Sequence, residues 1–154
     1  MPDVVSVAKR KEMMSGIRGK DTKPEFLIRR ALHARGFRYR LHDRSLPGHP
    51  DLVLPKYRSI VFIHGCFWHM HGCHLFKWPS TRRDWWKAKL EGNARRDQVN
   101  IARLHGLGWR VAVVWECALK GRTRRPPDEV TATLEDWLRD DPGVESLEIG
   151  GVAS

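Results

Sequence analysis

The segment His64-Gly65-Cys66-Phe67-Trp68-His69-Met70-His71-Gly72-Cys73-His74 constrains this chain more than any other. It holds two of the three cysteines and four of the eight histidines, and the remaining cysteine, Cys117, lies far downstream. Three cysteines cannot all pair within one chain, so reduced thiols in a cytosolic setting are expected rather than a disulfide framework. Thiolates and an imidazole at this spacing are the ligands of structural zinc. Cys66, Cys73 and Cys117 supply three of them. His71, between two of the thiols, supplies the fourth, with His74 as the alternative. A closed set of four leaves no open position for catalysis. The blander assignment is that the cysteines are small buried hydrophobes.

A chain of 154 residues fits one domain with a real core. The formal charge of +10 favours a polyanionic partner; the blander reading is a soluble basic protein with no such partner. Seven Trp are many for this length; some must be core, but spare aromatics on a basic chain also suit base stacking. The first thirty residues carry no apolar signal-peptide core, and no run approaches the ~20 apolar residues of a membrane span.

Residues 1–20 read as a basic N-terminal segment, 21–140 as a single domain and 141–154 as a loose tail. Thr22-Lys23-Pro24-Glu25 is a capping-box pattern opening a helix that Gly36 stops. Residues 37–41 alternate as a strand does. The runs at 51–54 and 59–63 form a hairpin around Pro55-Lys56-Tyr57-Arg58. A turn centred near Tyr57-Arg58 sets Asp51 opposite His64. A helix runs from about residue 81 to 105, a buried strand covers 109–115, and an amphipathic helix covers 128–139. Interleaved helices and strands give an α/β class.

An Asp opening a strand beside a His makes a workable Mg²⁺ site for phosphodiester hydrolysis, with Asp51 as ligand and an imidazole taking a proton from water. The competing role of Asp51 is a turn former in Gly-His-Pro-Asp. His69 is left over once zinc has its ligands, and a His fixed beside the metal but not bound to it is well placed as a general base. Asp97 can orient it, although an ion pair with Arg95 or Arg96 is the plainer role. Glu25 likewise has a capping role. Phe67 and Trp68 either pack the metal loop or project from its tip as a wedge between base pairs. Met14 is a candidate second wedge.

These segments resemble the bacterial very short patch repair (Vsr-type) DNA mismatch endonucleases. The matching stretches are Met13-Met14, Asp21-Thr22 with Glu25, Ser45 to Asp51, Phe62 to His69, His71, Cys73, Leu75-Phe76-Lys77, Asn93, Arg96-Asp97, Leu107 to Val111 and Val114 to Leu119. The resemblance implies a restriction-endonuclease-like fold: a central mixed β-sheet flanked by helices, with structural zinc on Cys66, His71, Cys73 and Cys117. It implies catalytic Mg²⁺ on Asp51 and the backbone carbonyl of Ile63, where the family pattern has Thr. His69 is then the general base supported by Asp97, with His64 and Glu25 at the active site. Phe67 and Trp68 match the major-groove wedge and Met14 the minor-groove one, while Lys89 and Asn93 read the T·G pair.

The implied activity is a Mg²⁺-dependent nick 5′ to the thymine of a T·G mismatch left by deaminated 5-methylcytosine. The implied partners are mismatched double-stranded DNA and other mismatch-repair proteins, with the enzyme acting as a cytoplasmic, nucleoid-associated monomer. Two other readings are a zinc-stabilised DNA-binding module without catalysis and a sequence-specific endonuclease cutting unmismatched duplex.

Overall fold

The computed structural model describes residues 22–140 and 143–152. Helix α1 spans Lys23–Ala34, α2 Arg83–Gly106 and α3 Pro127–Arg139; the strands are β1 Arg40–Leu41, β2 Leu52–Leu54, β3 Ser59–His64, β4 Arg110–Trp115 and β5 Ser146–Ile149. The strands form one five-stranded sheet in the order β1-β2-β3-β4-β5. The β1–β2 and β2–β3 pairs are antiparallel, whereas β3–β4 and β4–β5 are parallel. This is the mixed α/β architecture that the interleaved pattern predicts.

Alternation along the strands sorts side chains to two faces. Leu52, Leu54, Val61, Ala112 and Val114 meet Ile28 and Leu32 of α1 and Val130, Leu134 and Leu138 of α3. Val53, Ile60, Phe62, Val111 and Val113 meet Leu104 of α2 on the opposite face. Both faces of β3 and β4 are therefore covered, which explains their near-continuous apolar runs. Arg110 ties β4 to the end of α3. Its Nη2 donates to the Trp137 carbonyl at 2.7 Å, and its guanidinium lies 4.2 Å from the Trp137 ring centroid.

Helix α1 starts as the sequence indicates, with the Glu25 N–H donating to Thr22 Oγ1 at 3.4 Å. Helix α2 starts two residues later than the sequence indicates. It starts after Arg82, which has φ +51 and makes no side-chain capping bond. The strand expected over 37–41 is limited to Arg40–Leu41, because Phe37 turns into the core. The segment expected as a loose tail contains β5. Leu147 and Ile149 pack on the core, and the strand covers the edge that β4 would otherwise expose.

The hairpin register also differs from expectation. Leu54 pairs with Ser59 and Leu52 with Val61. Continuing that register puts Asp51 opposite Phe62, not His64. The chain reverses through a 3-10 turn at Pro55–Tyr57, with Arg58 in the left-handed region at φ +50. The turn centre therefore falls one residue earlier, and each partner shifts by two, which keeps the faces unchanged. No described helix is long and apolar enough to cross a membrane.

Candidate active site and metal centre

The parallel pairing of β3 with β4 builds the metal cluster. His64 pairs with Trp115 at the ends of the two strands, so Cys66 and Cys117, two residues beyond each, emerge side by side. The loop then turns back, with Met70 at φ +52 and the His71 N–H donating to the Cys66 carbonyl at 2.9 Å. His71 Nδ1 comes to 3.5 Å from the sulfurs of both Cys66 and Cys117. One ligand atom each from Cys66, His71, Cys73 and Cys117 lies within 4.8 Å of all the others.

Trp115 fixes the His71 ring by stacking on it at 4.1 Å and 8°. The Gly151 N–H donates to Cys117 Sγ at 3.3 Å, a contact from the segment after β5. Burial pushes the Cys66 and Cys117 thiols up and the His71 imidazole down, so a bound cation would reverse the thiol shift. His74, the alternative ligand, stands outside the cluster, with Nδ1 3.4 Å from Thr123 Oγ1.

A second group forms where α1 meets the start of β2. Glu25 is only 2% exposed. Its Oε2 accepts from Arg29 Nη1 at 2.9 Å and lies 2.8 Å from His42 Nε2. Asp51 Oδ2 accepts the Ile63 N–H at 2.7 Å. Glu25, His42 and Asp51 present ligand atoms within 4.8 Å of one another. Burial pushes the Asp51 carboxyl up to about 7; the Ile63 bond opposes that shift and the nearby Glu25 adds to it. A buried and a half-buried carboxylate side by side repel each other, and a cation between them would relieve that repulsion beyond what Arg29 does. The structure thus pairs Asp51 with Glu25, whereas the sequence reading paired it with His64.

His64 belongs to a third group. Its ring stacks on His69 at 3.8 Å and 5°, and His69 Nδ1 lies 2.5 Å from Asp97 Oδ2 on α2. Two rings stacked face to face cannot both aim a lone pair at one ion, so His64 and His69 do not form a chelate. His64 is buried with no partner on Nδ1 among the described residues. Burial, and then the neighbouring His69, hold its pKa well below the ordinary imidazole value. Asp97 is thus placed to orient His69 rather than left in a solvated ion pair.

Phe67 and Trp68 are half-buried and belong to a chain of ring contacts that includes Phe76, Trp78, Trp85 and Trp86. The packing role weighed for them is thereby realised on the inner side of the loop. Trp68 also lines a cavity of about 670 Å³ beside His69, Lys89, Asn93 and Asp97. Arg44, Arg96 and Arg103 make its wall basic. Gly48, at φ +80, lets the 44–49 loop close on α2; a Cβ there would stand 3.1 Å from Phe62 and 3.2 Å from Asn100. The Asn93 amide donates to the Trp68 carbonyl at 3.1 Å and so ties the loop to α2. Met14 lies outside the described residues.

Comparison with known proteins meets this geometry. The family model described as DNA mismatch endonuclease Vsr matches residues 2–75. The chain is 42% identical to the DNA mismatch endonuclease Vsr of Escherichia coli (strain K12) over 152 residues, 99% of this chain and 97% of that protein. The chain belongs to the Vsr family. It is also 49% identical over 119 residues to the type II nicking enzyme V.XorIIP of Xanthomonas oryzae pv. oryzae, covering 77% of this chain and 88% of that one. The type II nicking enzyme V.NmeAIP of Neisseria meningitidis is 45% identical over 122 residues, 79% of this chain and 87% of its own. Vsr-family membership makes this a DNA endonuclease homologue and agrees with the basic cavity beside a His–Asp pair.

Within this Vsr-family fold, sequence reasoning missed His42, Trp86 and Trp115. His42 carries no motif. Its position is set by the β1–β2 pairing, which a two-residue strand barely signals. Trp115 reads as a strand residue, and only the stacking distance identifies it as a support for His71.

Proposed function

We propose that the protein is a Mg²⁺-dependent mismatch nickase of restriction-endonuclease-like fold. It acts in the cytoplasm on T·G duplexes and cuts 5′ to the thymine. The observation that carries this reading is that the His69–Asp97 pair and the Glu25–Asp51 carboxylates both lie at the end of the sheet where β2 begins and β3 finishes. A DNA-binding module has no use for both.

His69 donates from Nδ1 to Asp97, since an ionised carboxylate only accepts. Its Nε2 is then the proton acceptor, and it takes a proton from the water that attacks phosphorus. The P–O3′ bond breaks and O3′ takes a proton from solvent, leaving a 3′-hydroxyl and a 5′-phosphate. His64, buried and neutral, holds the His69 ring plane by stacking. Asp51 and Glu25, with the carbonyl of Ile63, the residue whose N–H bonds Asp51, are oxygen donors of the kind Mg²⁺ takes. A Mg²⁺ held by these oxygens would supply charge stabilisation to the phosphate and the leaving oxygen.

Zinc is the ion suited to Cys66, His71, Cys73 and Cys117. With bonds of about 2.3 Å to sulfur and about 2.0–2.1 Å to nitrogen, a tetrahedral centre separates S from N by about 3.6 Å. The two S–N separations here are 3.5 Å. The ion would brace the loop that carries Phe67 and Trp68, whose inner faces pack on Trp86 and whose outer edges are left for DNA. These rings wedge beside the weakly stacked T·G wobble, where opening costs less than at a Watson–Crick step. Lys89 and Asn93, on the wall of the cavity, read the mismatched pair, and Met14 enters from the minor groove.

Nicking of matched T·G and T·A duplexes, with and without Mg²⁺, tests the reading. Mg²⁺-dependent cleavage confined to the T·G duplex supports it. Equal cleavage of both favours the restriction-type reading, and binding without cleavage favours the non-catalytic one.

A further inference from the structure

Nothing about His42 in the sequence marks it for function, yet it touches both residues of the cation site, the Glu25 carboxylate through its ring and the Asp51 main chain through its backbone. It lies one step beyond the Leu41–Leu52 pair of β1 and β2, and its backbone N–H donates to the Asp51 carbonyl at 3.0 Å. Its backbone is in the left-handed region at φ +48, a conformation that costs a non-glycine residue free energy and recurs at functional sites. That conformation ends β1 and accompanies the turn of the ring toward α1, where Nε2 comes to 2.8 Å from Glu25 Oε2.

The donor arithmetic defines its role. An ionised Glu25 can only accept, so Nε2 carries the proton. Arg29 Nη1 donates to the same oxygen at 2.9 Å. Both donors therefore act on Oε2, and neither acts on Oε1. A nitrogen that donates to a carboxylate is not free to coordinate, and Mg²⁺ prefers oxygen to imidazole in any case. His42 thus belongs to the cluster of Glu25, His42 and Asp51 without being a ligand in it.

We propose that His42 is a positioning residue of the divalent-cation site, clamping Glu25 by one carboxylate oxygen while its own backbone is paired to Asp51. The clamp fixes the separation of the two carboxylates before the cation arrives, so less ordering remains to be done on binding. Outer partners of this kind change metal affinity by roughly 10- to 100-fold when removed. The inference rests on the Mg²⁺ reading above.

The test compares His42→Gln with His42→Leu. Both are strained alike at φ +48 and similar in size, but only Gln keeps an N–H donor. His42→Ala serves as the donor-free arm if His42→Leu does not fold, as judged by melting. Mn²⁺ is titrated into the zinc-loaded protein on a T·G duplex with a non-hydrolysable linkage at the scissile position, and free Mn²⁺ is read by electron paramagnetic resonance. We expect the donor-free variant to bind Mn²⁺ about 10- to 100-fold more weakly, with Gln close to wild type. On cleavable DNA, the Mg²⁺ concentration for half-maximal nicking shifts in the same way, while the rate at saturating Mg²⁺ and the metal-free DNA affinity are unchanged. Equal Mn²⁺ affinity in the Gln and donor-free variants overturns the proposal, as does a loss of rate that saturating Mg²⁺ does not restore. An Asp51→Ala control separates the two levels. If it leaves Mn²⁺ binding intact, the Mg²⁺ reading itself fails; if it abolishes binding while the His42 variants match wild type, only the role of His42 fails.

Discussion

Asp97 Oδ2 lies 2.5 Å from His69 Nδ1, joining the middle of α2 to the loop after β3. The bond fixes which ring nitrogen is available to substrate, because Nδ1 is committed to the carboxylate. His69→Ala is predicted to lower the nicking rate about 10²- to 10⁴-fold, the usual worth of a general base. Asp97→Ala should cost less, since the imidazole remains and loses only its orientation. Both variants should keep wild-type affinity for DNA in single-turnover assays. An Asp97→Ala enzyme with unchanged rate would return Asp97 to a purely structural role.

The metal cluster joins two strand ends and a loop, so its loss should be felt in stability before activity. Metal analysis of the purified protein is predicted to find one zinc per chain. Cys117→Ser should lose the zinc and destabilise the fold by several kcal/mol, since structural zinc in small domains binds with roughly 10–16 kcal/mol. His74→Ala should leave zinc content unchanged, because His74 stands outside the cluster. A zinc-free protein with the same melting temperature would contradict this.

The raised Asp51 carboxyl gives a pH signature. Its folded value of about 7 stands above an unfolded value of about 3.9. Between these values the native metal-free protein holds more protons than the unfolded chain, so stability falls as pH rises through that window. Mg²⁺ must displace that proton, so its stabilising effect should grow from about pH 5 to about pH 8. Melting curves of wild type and Asp51→Asn, with and without Mg²⁺, check both signs. A Mg²⁺ effect that is flat across this range would contradict the account.

Phe67 and Trp68 pack inward against Trp86 at 5.5 and 5.9 Å, and the wedge role needs their outer edges. The double variant Phe67→Ala with Trp68→Ala is predicted to reduce discrimination between T·G and T·A duplexes while retaining zinc. Trp86→Ala, which removes the ring behind them, should reduce it in the same direction but less. Unchanged discrimination in the double variant would confine these rings to packing.

The elements were legible where one signal sufficed. Thr22 and Gly36 bound α1, and the apolar run of β4 is continuous because helices cover both its faces. The metal cluster was legible because its residue types have few other uses in a reduced chain. The pairing of Asp51 was not, because register depends on where a turn centres, and Arg58 in a left-handed conformation moved that centre by one residue. Strand β5 was missed because its short run, with Glu148 between Leu147 and Ile149, takes meaning only from the open edge of β4. His42 was missed for a related reason: its partner Glu25 comes from a helix that the strand pairing brings close.

The central claim is strand-specific, Mg²⁺-dependent chemistry directed by a T·G mismatch. Its most direct test is the nicking rate on a T·G duplex and on the same sequence with T·A, for wild type and Asp51→Ala, in excess Mg²⁺. The account predicts a single nick 5′ to the mismatched thymine by wild type, none on T·A, and none by Asp51→Ala on either. Equal cutting of both duplexes, or full activity in Asp51→Ala, would contradict it.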